Sequence, residues 1–432
     1  MKPALRIGIA GLGTVGGGVV KMLRARQDHI AAMTGRQIEV VGVCARDRSR
    51  HRGFSIADLA WHDDAAALAR SSEIDVFVEL IGGSDGPAKV AVEAALANGK
   101  HVVTANKALL AHHGTELAVK AEASGVSLNY EAAVAGGIPI IKAMREGLAA
   151  GQVRTVRGIL NGTCNYILSE MEATGRDFAD ILADAQRLGY AEADPSFDIG
   201  GTDAAHKLAI LSCLAFGAEI DFDGVDVEGI ELVTALDIKL AREFGYRIKL
   251  LGVARQTEAG VMQSVRPSLI PLSAPLAAVS GVFNAVEVVG EPVGPIVLEG
   301  QGAGEGPTAA AVVADLVDIA RGQSVLPLVI PAASLSKSPK APAKQHSGHY
   351  YLRFHAADRA GSMAAITGDL AAADVSIEKI IQHGEDGDGS GRLPVVILTH
   401  MTSEDTMNRA LASLSAHEDV AGTPFMLRIE TA

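Results

Sequence analysis

Leu5-Arg-Ile-Gly-Ile-Ala-Gly-Leu-Gly-Thr-Val-Gly16 decides the architecture of the first part of the chain. The apolar run from Leu5 to Ala10 reads as a buried strand and passes into Gly11-x-Gly13-x-x-Gly16, with Thr14 and Val15 between the last two glycines. A helical pattern follows to about Arg26. Strand, glycine turn and helix in that order form a dinucleotide fingerprint, because the missing side chains let backbone N–H groups meet a pyrophosphate at the helix N-terminus. Further apolar strands follow at residues 39–45, 76–81, 101–104 and 126–130, separated by helical stretches such as 89–98 and 114–124. Strands alternating with helices predict an α/β fold with a parallel sheet and crossover helices.

The second strand ends in Ala45-Arg46-Asp47-Arg48. Arg46 can pair with a 2′-phosphate and favour NADP, while Asp47 is available to an NAD ribose, so the sequence leaves the choice between NAD and NADP open. His101-Val-Val-Thr104-Ala-Asn106-Lys107 ends a strand of the same sheet, where the carboxyl edge faces a ligand crevice, which makes Lys107 a candidate site residue. A surface lysine opening a helix has the same spacing.

After Glu131 the rhythm changes to longer helices and strand-like runs. Residues 309–321 read as a helix that returns to the first domain, just after a second glycine loop, Gly300-Gln-Gly302-Ala-Gly304-Glu-Gly306-Pro307-Thr308. Residues 331–348, PAASLSKSPKAPAKQHSG, read as a linker with too little apolar content to pack. Beyond it, strands at 350–357, 375–383, 393–401 and 424–430 and helices at 362–373 and 402–417 give the order βαββαβ, a ferredoxin-like unit with a flexible DGDGSGR loop at its centre. The expected division is a nucleotide-binding domain over 1–131 completed by about 305–330, a substrate and dimerisation domain of α+β type over 132–304, the linker, and a regulatory unit over 349–432.

A formal net charge of −13 and 48% hydrophobic residues argue for a folded protein with no nucleic-acid partner, since phosphate binding needs a concentrated basic face. Cys44, Cys164 and Cys213 lie in apolar segments without metal-ligand spacing, which fits a reducing cytoplasm. One uncharged run, 267–286, reaches membrane-spanning length, but Pro267, Pro271 and Pro275 interrupt it, so it reads as strand and loop in a soluble domain, with no membrane partner.

The chemistry concentrates in Gly189–Lys207, GYAEADPSFDIGGTDAAHK. Glu192, Asp194 and Asp198 lie in a loop broken by Pro195 and Gly200-Gly201, and Thr202 is placed to cap a helix beginning at Asp203. On that helix Asp203 and Lys207 share a face at i,i+4, so the carboxylate can hold the ammonium while its proton is used. Such a pair is ordinarily a solvated salt bridge of about 0.3–0.5 kcal/mol. Here residues 208–218 are apolar apart from Ser212 and Cys213, which drives the helix into a core and leaves its first turn at a rim.

This stretch resembles homoserine dehydrogenase, whose motif G-Y-x-E-x-D-P, a further Asp and D-x-x-x-K is matched at Gly189, Tyr190, Glu192, Asp194, Pro195, Asp198, Asp203 and Lys207. The resemblance implies a catalytic Lys207 with Asp203 as its partner, and Glu192 and Asp198 at the homoserine amino end. It also implies a Rossmann domain in which Gly11, Gly13, Thr14, Val15, Gly16, Arg46, Thr104, Lys107, Gly304 and Gly306 bind NAD or NADP, Lys107 reaching the substrate as well. Glu131 and the carbonyls of Val134, Gly136 and Ile138 match a family segment that binds a monovalent cation, sodium or potassium; as bare sequence they read as a turn. Asn161-Gly-Thr-Cys164-Asn-Tyr-Ile167 matches another family element, with Cys164 read as a packed thiol. Asp358-Arg-Ala-Gly361 resembles the ACT-domain turn, with Ala360 where Pro is frequent. The implied activity is NAD(P)-dependent interconversion of L-aspartate 4-semialdehyde and L-homoserine in the threonine, methionine and isoleucine pathways, by a homodimer or homotetramer with threonine as a possible effector. A Rossmann oxidoreductase acting on another amino acid, and a non-enzymatic amino-acid sensor, are the rival readings; the sensor leaves Lys107 and Lys207 unexplained.

Overall fold

A computed structural model describes residues 2–341, 346–382 and 391–431. The first sheet contains β1 (Leu5–Ala10), β2 (Ile38–Cys44), β3 (Ala60–His62), β4 (Val76–Glu79), β5 (His101–Thr104) and β6 (Leu128–Asn129), all parallel, in the order β3-β2-β1-β4-β5-β6. Strand order reverses between β1 and β4, which opens a crevice at their carboxyl ends. Ile7, Ile9, Val76, Phe77 and Val78 are fully buried because helices cover both faces. The helix Glu305–Arg321 returns to this sheet: its Ala309, Val312 and Leu316 share a core with Val19, Val20 and Leu23 of the helix Thr14–Ala25. Strand β3 and the helix Ala65–Arg70, capped by Asp64, are absent from the sequence reading, being too short to show a period.

The central strands are β7 (Gln152–Ile159), β8 (Asp226–Val227), β9 (Tyr246–Thr257), β10 (Gly260–Pro271), β11 (Phe283–Glu291) and β12 (Gly294–Gln301). The last segment supplies β13 (Ser347–Ala357), β14 (Ile377–Gln382), β15 (Arg392–Thr399), β16 (Thr402–Ser403) and β17 (Val420–Ile429). Its order β17-β13-β15-β14, with helices Ser362–Ala372 and Glu404–Ala416, is the ferredoxin-like arrangement expected. Most of the DGDGSGR loop and the end of the strand expected at 375–383 lie outside the described residues.

The two groups of strands are one sheet. It runs β12-β11-β7-β9-β10-β17-β13-β15-β14, joined where β17 pairs parallel with β10 at Ser268↔Arg428 and Leu269↔Ile429. Tyr351, Phe425, Leu427 and Ile429 are buried in the same core as Leu250, Val265 and Leu269. Polar groups lock this seam: Arg428 donates to Glu404 at 2.7 Å and to Ser264 at 3.3 Å, and Arg255 pairs with Glu430 at 3.2 Å.

The segment before β13 corrects the reading of a linker that cannot pack. Ala332, Leu335 and Ala341 are buried, and Pro339 and Ala341 exchange backbone hydrogen bonds with Val261 at 3.0 and 3.1 Å. Backbone pairing holds this stretch, and composition does not register backbone pairing. Residues 342–345 lie outside the described residues, and β13 already begins at Ser347. Among the described residues no helix is long and apolar enough to cross a membrane.

Candidate active site

The glycine turn at the end of β1 is shaped by close approach. A Cβ on Gly11 would lie 2.2 Å from the Leu80 carbonyl oxygen, and one on Gly16 would lie 1.9 Å from the Gly11 oxygen. At Gly13, the N-cap of the helix beginning with Thr14 and Val15, a Cβ would meet nothing within 4 Å. Protein packing therefore explains two of the glycines, and Gly13 leaves an open approach to the backbone at a helix N-terminus. Gly11 donates its N–H to the Cys44 carbonyl at 2.8 Å, which brings the segment after β2 beside the turn.

There the structure separates Arg46 from Asp47. Arg46 is exposed, with no hydrogen bond or ion pair among the described residues, whereas the Asp47 carboxylate accepts from the Ser49 N–H at 2.8 Å and its hydroxyl at 2.6 Å. Both bonds end on Oδ1, so a local Asx turn orients Asp47 without taking up its Oδ2. Arg48 and Arg52 stand over the Trp61 ring at 5.8 and 5.9 Å.

Glu79, at the end of β4, is fully buried and accepts from the Thr104 hydroxyl at 2.6 Å and from the N–H groups of Ile81 and Gly82. Thr104 in turn accepts the Asn106 N–H at 3.0 Å, and Asn106 caps the helix Lys107–Ala123 through the Leu109 N–H. This chain of bonds launches Lys107 from the carboxyl edge of the sheet into the crevice. The role of Glu79 was not legible in the sequence, since its partner lies 25 residues away.

The helix Thr202–Phe216 supplies the other half. Thr202 is its first residue rather than its cap; Gly201, at φ +88, is the N-cap, and a Cβ there would press on Val227 and Val265 at 3.1 and 3.2 Å. Asp203 and Lys207 are both buried. Lys207 Nζ donates to Asp203 Oδ2 at 2.7 Å and to the Leu160 carbonyl at 2.7 Å, while Lys107 Nζ stands 3.1 Å from Asp203 Oδ1. Asn161 completes the group, its amide donating to Asp203 Oδ2 at 2.9 Å and Asp198 Oδ1 at 2.8 Å while its own oxygen caps the helix Gly162–Thr174. Burial would raise the Asp203 carboxyl, but Lys207 and Lys107 outweigh it and hold it well below the usual carboxylate range. Burial lowers the Lys207 ammonium below the ordinary lysine value against the opposing pull of Asp203. Burial and the Asp203 charge raise Asp198.

Glu192 is exposed, and its carboxylate makes no hydrogen bond or ion pair among the described residues. The second acid acting on Lys207, after Asp203, is Asp198. Cys164 is buried beside Asp198, and burial pushes its thiol well above the ordinary range, as a packed thiol requires. The glycine loop at Gly302–Gly306 begins the helix Glu305–Arg321, with Gly304 as N-cap at φ +117 and Gly306 exposed. Lys21 of the first helix pairs with Glu305 at 2.9 Å on the surface, where the start of the helix Glu305–Arg321 lies beside the first helix. Glu131 is buried, its two oxygens accepting the N–H groups of Ile141 at 2.8 Å and Lys142 at 3.0 Å. Ala135 and Gly136 follow with positive φ, and the Ile138 carbonyl accepts from Ile140. No cluster of three or more His, Cys, Asp or Glu side chains suited to a metal occurs among the described residues.

A parallel sheet with a glycine turn at its reversal, facing a buried carboxylate that carries two lysines, defines a nicotinamide-dependent dehydrogenase. Residues 11–131 match the family model "Homoserine dehydrogenase, NAD binding domain", residues 139–317 "Homoserine dehydrogenase", and residues 350–419 "ACT domain". The homoserine dehydrogenase of Pseudomonas aeruginosa is 46% identical over 100% of this chain and 99% of its own, and that of Neisseria gonorrhoeae 47% over the same shares. The crystal structure of a homoserine dehydrogenase from Thiobacillus denitrificans is similar with a TM-score of 0.93 at 46% identity, covering 100% of this chain and 99% of that one. The chain belongs to the homoserine dehydrogenase family: it is an oxidoreductase that binds a nicotinamide cofactor and carries a C-terminal ACT domain.

Proposed function

We propose that Lys207 moves the proton at the C4 oxygen as L-homoserine and L-aspartate 4-semialdehyde interconvert. The observation that carries this reading is Asp203, one buried carboxylate whose two oxygens hold Lys207 and Lys107 side by side at the mouth of the crevice. In the oxidation direction neutral Lys207 takes the hydroxyl proton; in reduction its ammonium donates that proton and its charge stabilises the developing alkoxide. A bound nicotinamide supplies the hydride acceptor or donor. Asp198, with Glu192 at the loop rim, receives the substrate amino group, and Lys107 binds substrate and cofactor. Gly11, Gly13, Thr14, Val15 and Gly16 receive the pyrophosphate, Thr104 lines the nicotinamide end, and Gly304 and Gly306 close over the cofactor.

The direction of the Lys207 shift fixes a pH dependence. Because burial favours neutral Lys207 and Asp203 stays ionised, oxidation should rise with pH, its half-point below the ordinary lysine value, and reduction should fall across the same interval. Turnover measured in both directions across one buffer series checks this; parallel slopes would remove Lys207 from the proton step.

Arg46 is proposed as the 2′-phosphate contact, which makes NADP an accepted cofactor at least equal to NAD. Arg46→Ala should raise the KM for NADP about tenfold or more and leave that for NAD nearly unchanged, since only NADP carries the extra phosphate. Equal effects on both cofactors would make the arginine structural.

The division into residues 1–131 with about 305–330, 132–304 and 349–432 is kept as the functional plan, with the last unit receiving an amino-acid effector, for which threonine is the candidate. A monovalent cation, sodium or potassium, fits the turn at Glu131. The Val134 and Gly136 carbonyls there accept no backbone hydrogen bond among the described residues, and oxygen-only donors suit a hard ion. Pairing of two copies through the 132–304 region, giving a dimer or tetramer, is supported by an apolar groove between Ile140 and Leu148 and strands β11 and β12, the latter a sheet edge. Three buried free thiols suit a reducing cytoplasm.

A further inference from the structure

We propose that Phe197 and His206 are positioning residues for Lys107: a stack of aromatic rings ends on the Lys107 ammonium and fixes where that cation stands beside Asp203. The inference rests on the reading of Lys107 as a substrate-binding group.

Asp203 alone does not determine the place of Lys107. It holds one side of the ammonium at 3.1 Å, but the lysine sits at the end of a flexible four-carbon stem. The Phe197 ring supplies a second contact, with Lys107 Nζ 5.8 Å from its centroid, inside the range of a cation–π attraction. Phe197 is poorly anchored by its own backbone. It is 43% exposed and belongs to a single helical turn, Ser196–Ile199, immediately before Asp198. A turn of that length has little stability of its own.

The support comes from behind. His206, buried on the helix that carries Asp203 and Lys207, stands 5.6 Å from the Phe197 ring and 4.4 Å from Phe222. His112, from the helix that begins with Lys107, closes the group at 5.4 Å from His206 and 4.9 Å from Phe222. The stack therefore ties the helix carrying Lys107 to the helix carrying Lys207 through rings, and delivers Phe197 to the ammonium.

The imidazole serves here as a ring rather than as a hydrogen-bonding group. The His206 imidazole makes no hydrogen bond among the described residues, and its Nδ1 is buried without a partner. Burial, with the neighbouring His112 and Lys107, pushes its pKa down to about 4 against Asp203, and Lys207 acts in the same direction as Lys107. The ring is thus neutral near pH 7 and adds no third cation beside the two lysines.

The test compares His206→Ala, His206→Phe, Phe197→Leu and the double variant Phe197→Leu/His206→Ala, with Lys107→Ala as reference. Each is read as KM for homoserine and kcat at saturating cofactor, with thermal melting to establish folding. The Ala and Leu variants should each raise the KM about tenfold with a smaller change in kcat, and the double variant should be no worse than either single, because both cut one stack. His206→Phe should restore the KM to within about twofold of the parent, since it keeps a ring and discards the nitrogens. If His206→Ala fails to fold, Phe197→Leu, at a half-exposed site, carries the same comparison. Folded Ala and Leu variants with the parental KM, or a His206→Phe as impaired as His206→Ala, would overturn the proposal. A Lys107→Ala with unchanged KM would overturn the reading of Lys107 itself, and the stack's role with it.

Discussion

Lys207→Ala is expected to lower kcat at least about a hundredfold in both directions while the KM for the cofactor stays within about twofold, because it removes the proposed proton carrier without touching the glycine turn at Gly11–Gly16. The variant also leaves the Leu160 carbonyl without its ammonium partner, so a melting curve accompanies the kinetics. Lys207→Arg separates charge from proton transfer: arginine keeps a cation near Asp203 but cannot give up its proton at accessible pH. Oxidation of homoserine should be as poor in the arginine variant as in the alanine one. An arginine variant that oxidised homoserine at near the parental rate would mean that Lys207 acts only by its charge.

Asp237→Ala should destabilise the protein by about 3–5 kcal/mol, the cost of stripping one partner from a buried ion pair. Asp237 is fully buried; one oxygen accepts from the Tyr351 hydroxyl at 2.8 Å and Arg353 Nε at 2.6 Å, and the other closes the capping box with Thr234. The substitution thus leaves Arg353 without its carboxylate and removes the half of the capping box in which Asp237 accepts the Thr234 N–H, while the Thr234 cap itself stays. Thermal or urea unfolding checks the loss, and kinetic constants of the folded variant should remain close to the parent's, since Asp237 is no part of the Asp203–Lys207 group. An unchanged melting curve would show that the bonds from the helix Ala235–Glu243 to Tyr351 and Arg353 of β13 carry no stability. The pairing of β17 with β10 decides what a chain ending near Pro331 would do. It would uncover β10 and the apolar side chains packed beneath β17, and would not simply release a tethered unit.

Local patterns in the sequence revealed most of the elements. The Gly11–Gly16 fingerprint, the alternation of strands and helices through β6, the βαββαβ order after residue 349 and the Asp203–Lys207 spacing are all written within a few residues of one another. What the sequence did not disclose depends on distant partners. Asn161 meets Asp203 across 42 residues and Glu79 meets Thr104 across 25, so neither stood out as a site builder. The join between β10 and β17 rests on pairs such as Ser268↔Arg428, and a proline-rich stretch between the two segments hid it. Gly201 took the cap expected of Thr202 because close packing on Val227 and Val265 favours a residue without a side chain at positive φ.

The most direct test of the account follows nicotinamide absorbance as the full-length protein is mixed with L-homoserine and either NADP or NAD, with 4-hydroxybutyrate, which lacks the amino group, as the control alcohol. Reduced cofactor should form with homoserine, little should form with the control because the proposed amino-group contacts Asp198 and Glu192 then have no ammonium to bind, and the signal should be lost in Lys207→Ala. Cofactor that binds without being reduced by homoserine, or undiminished reduction in the Lys207 variant, would contradict the account.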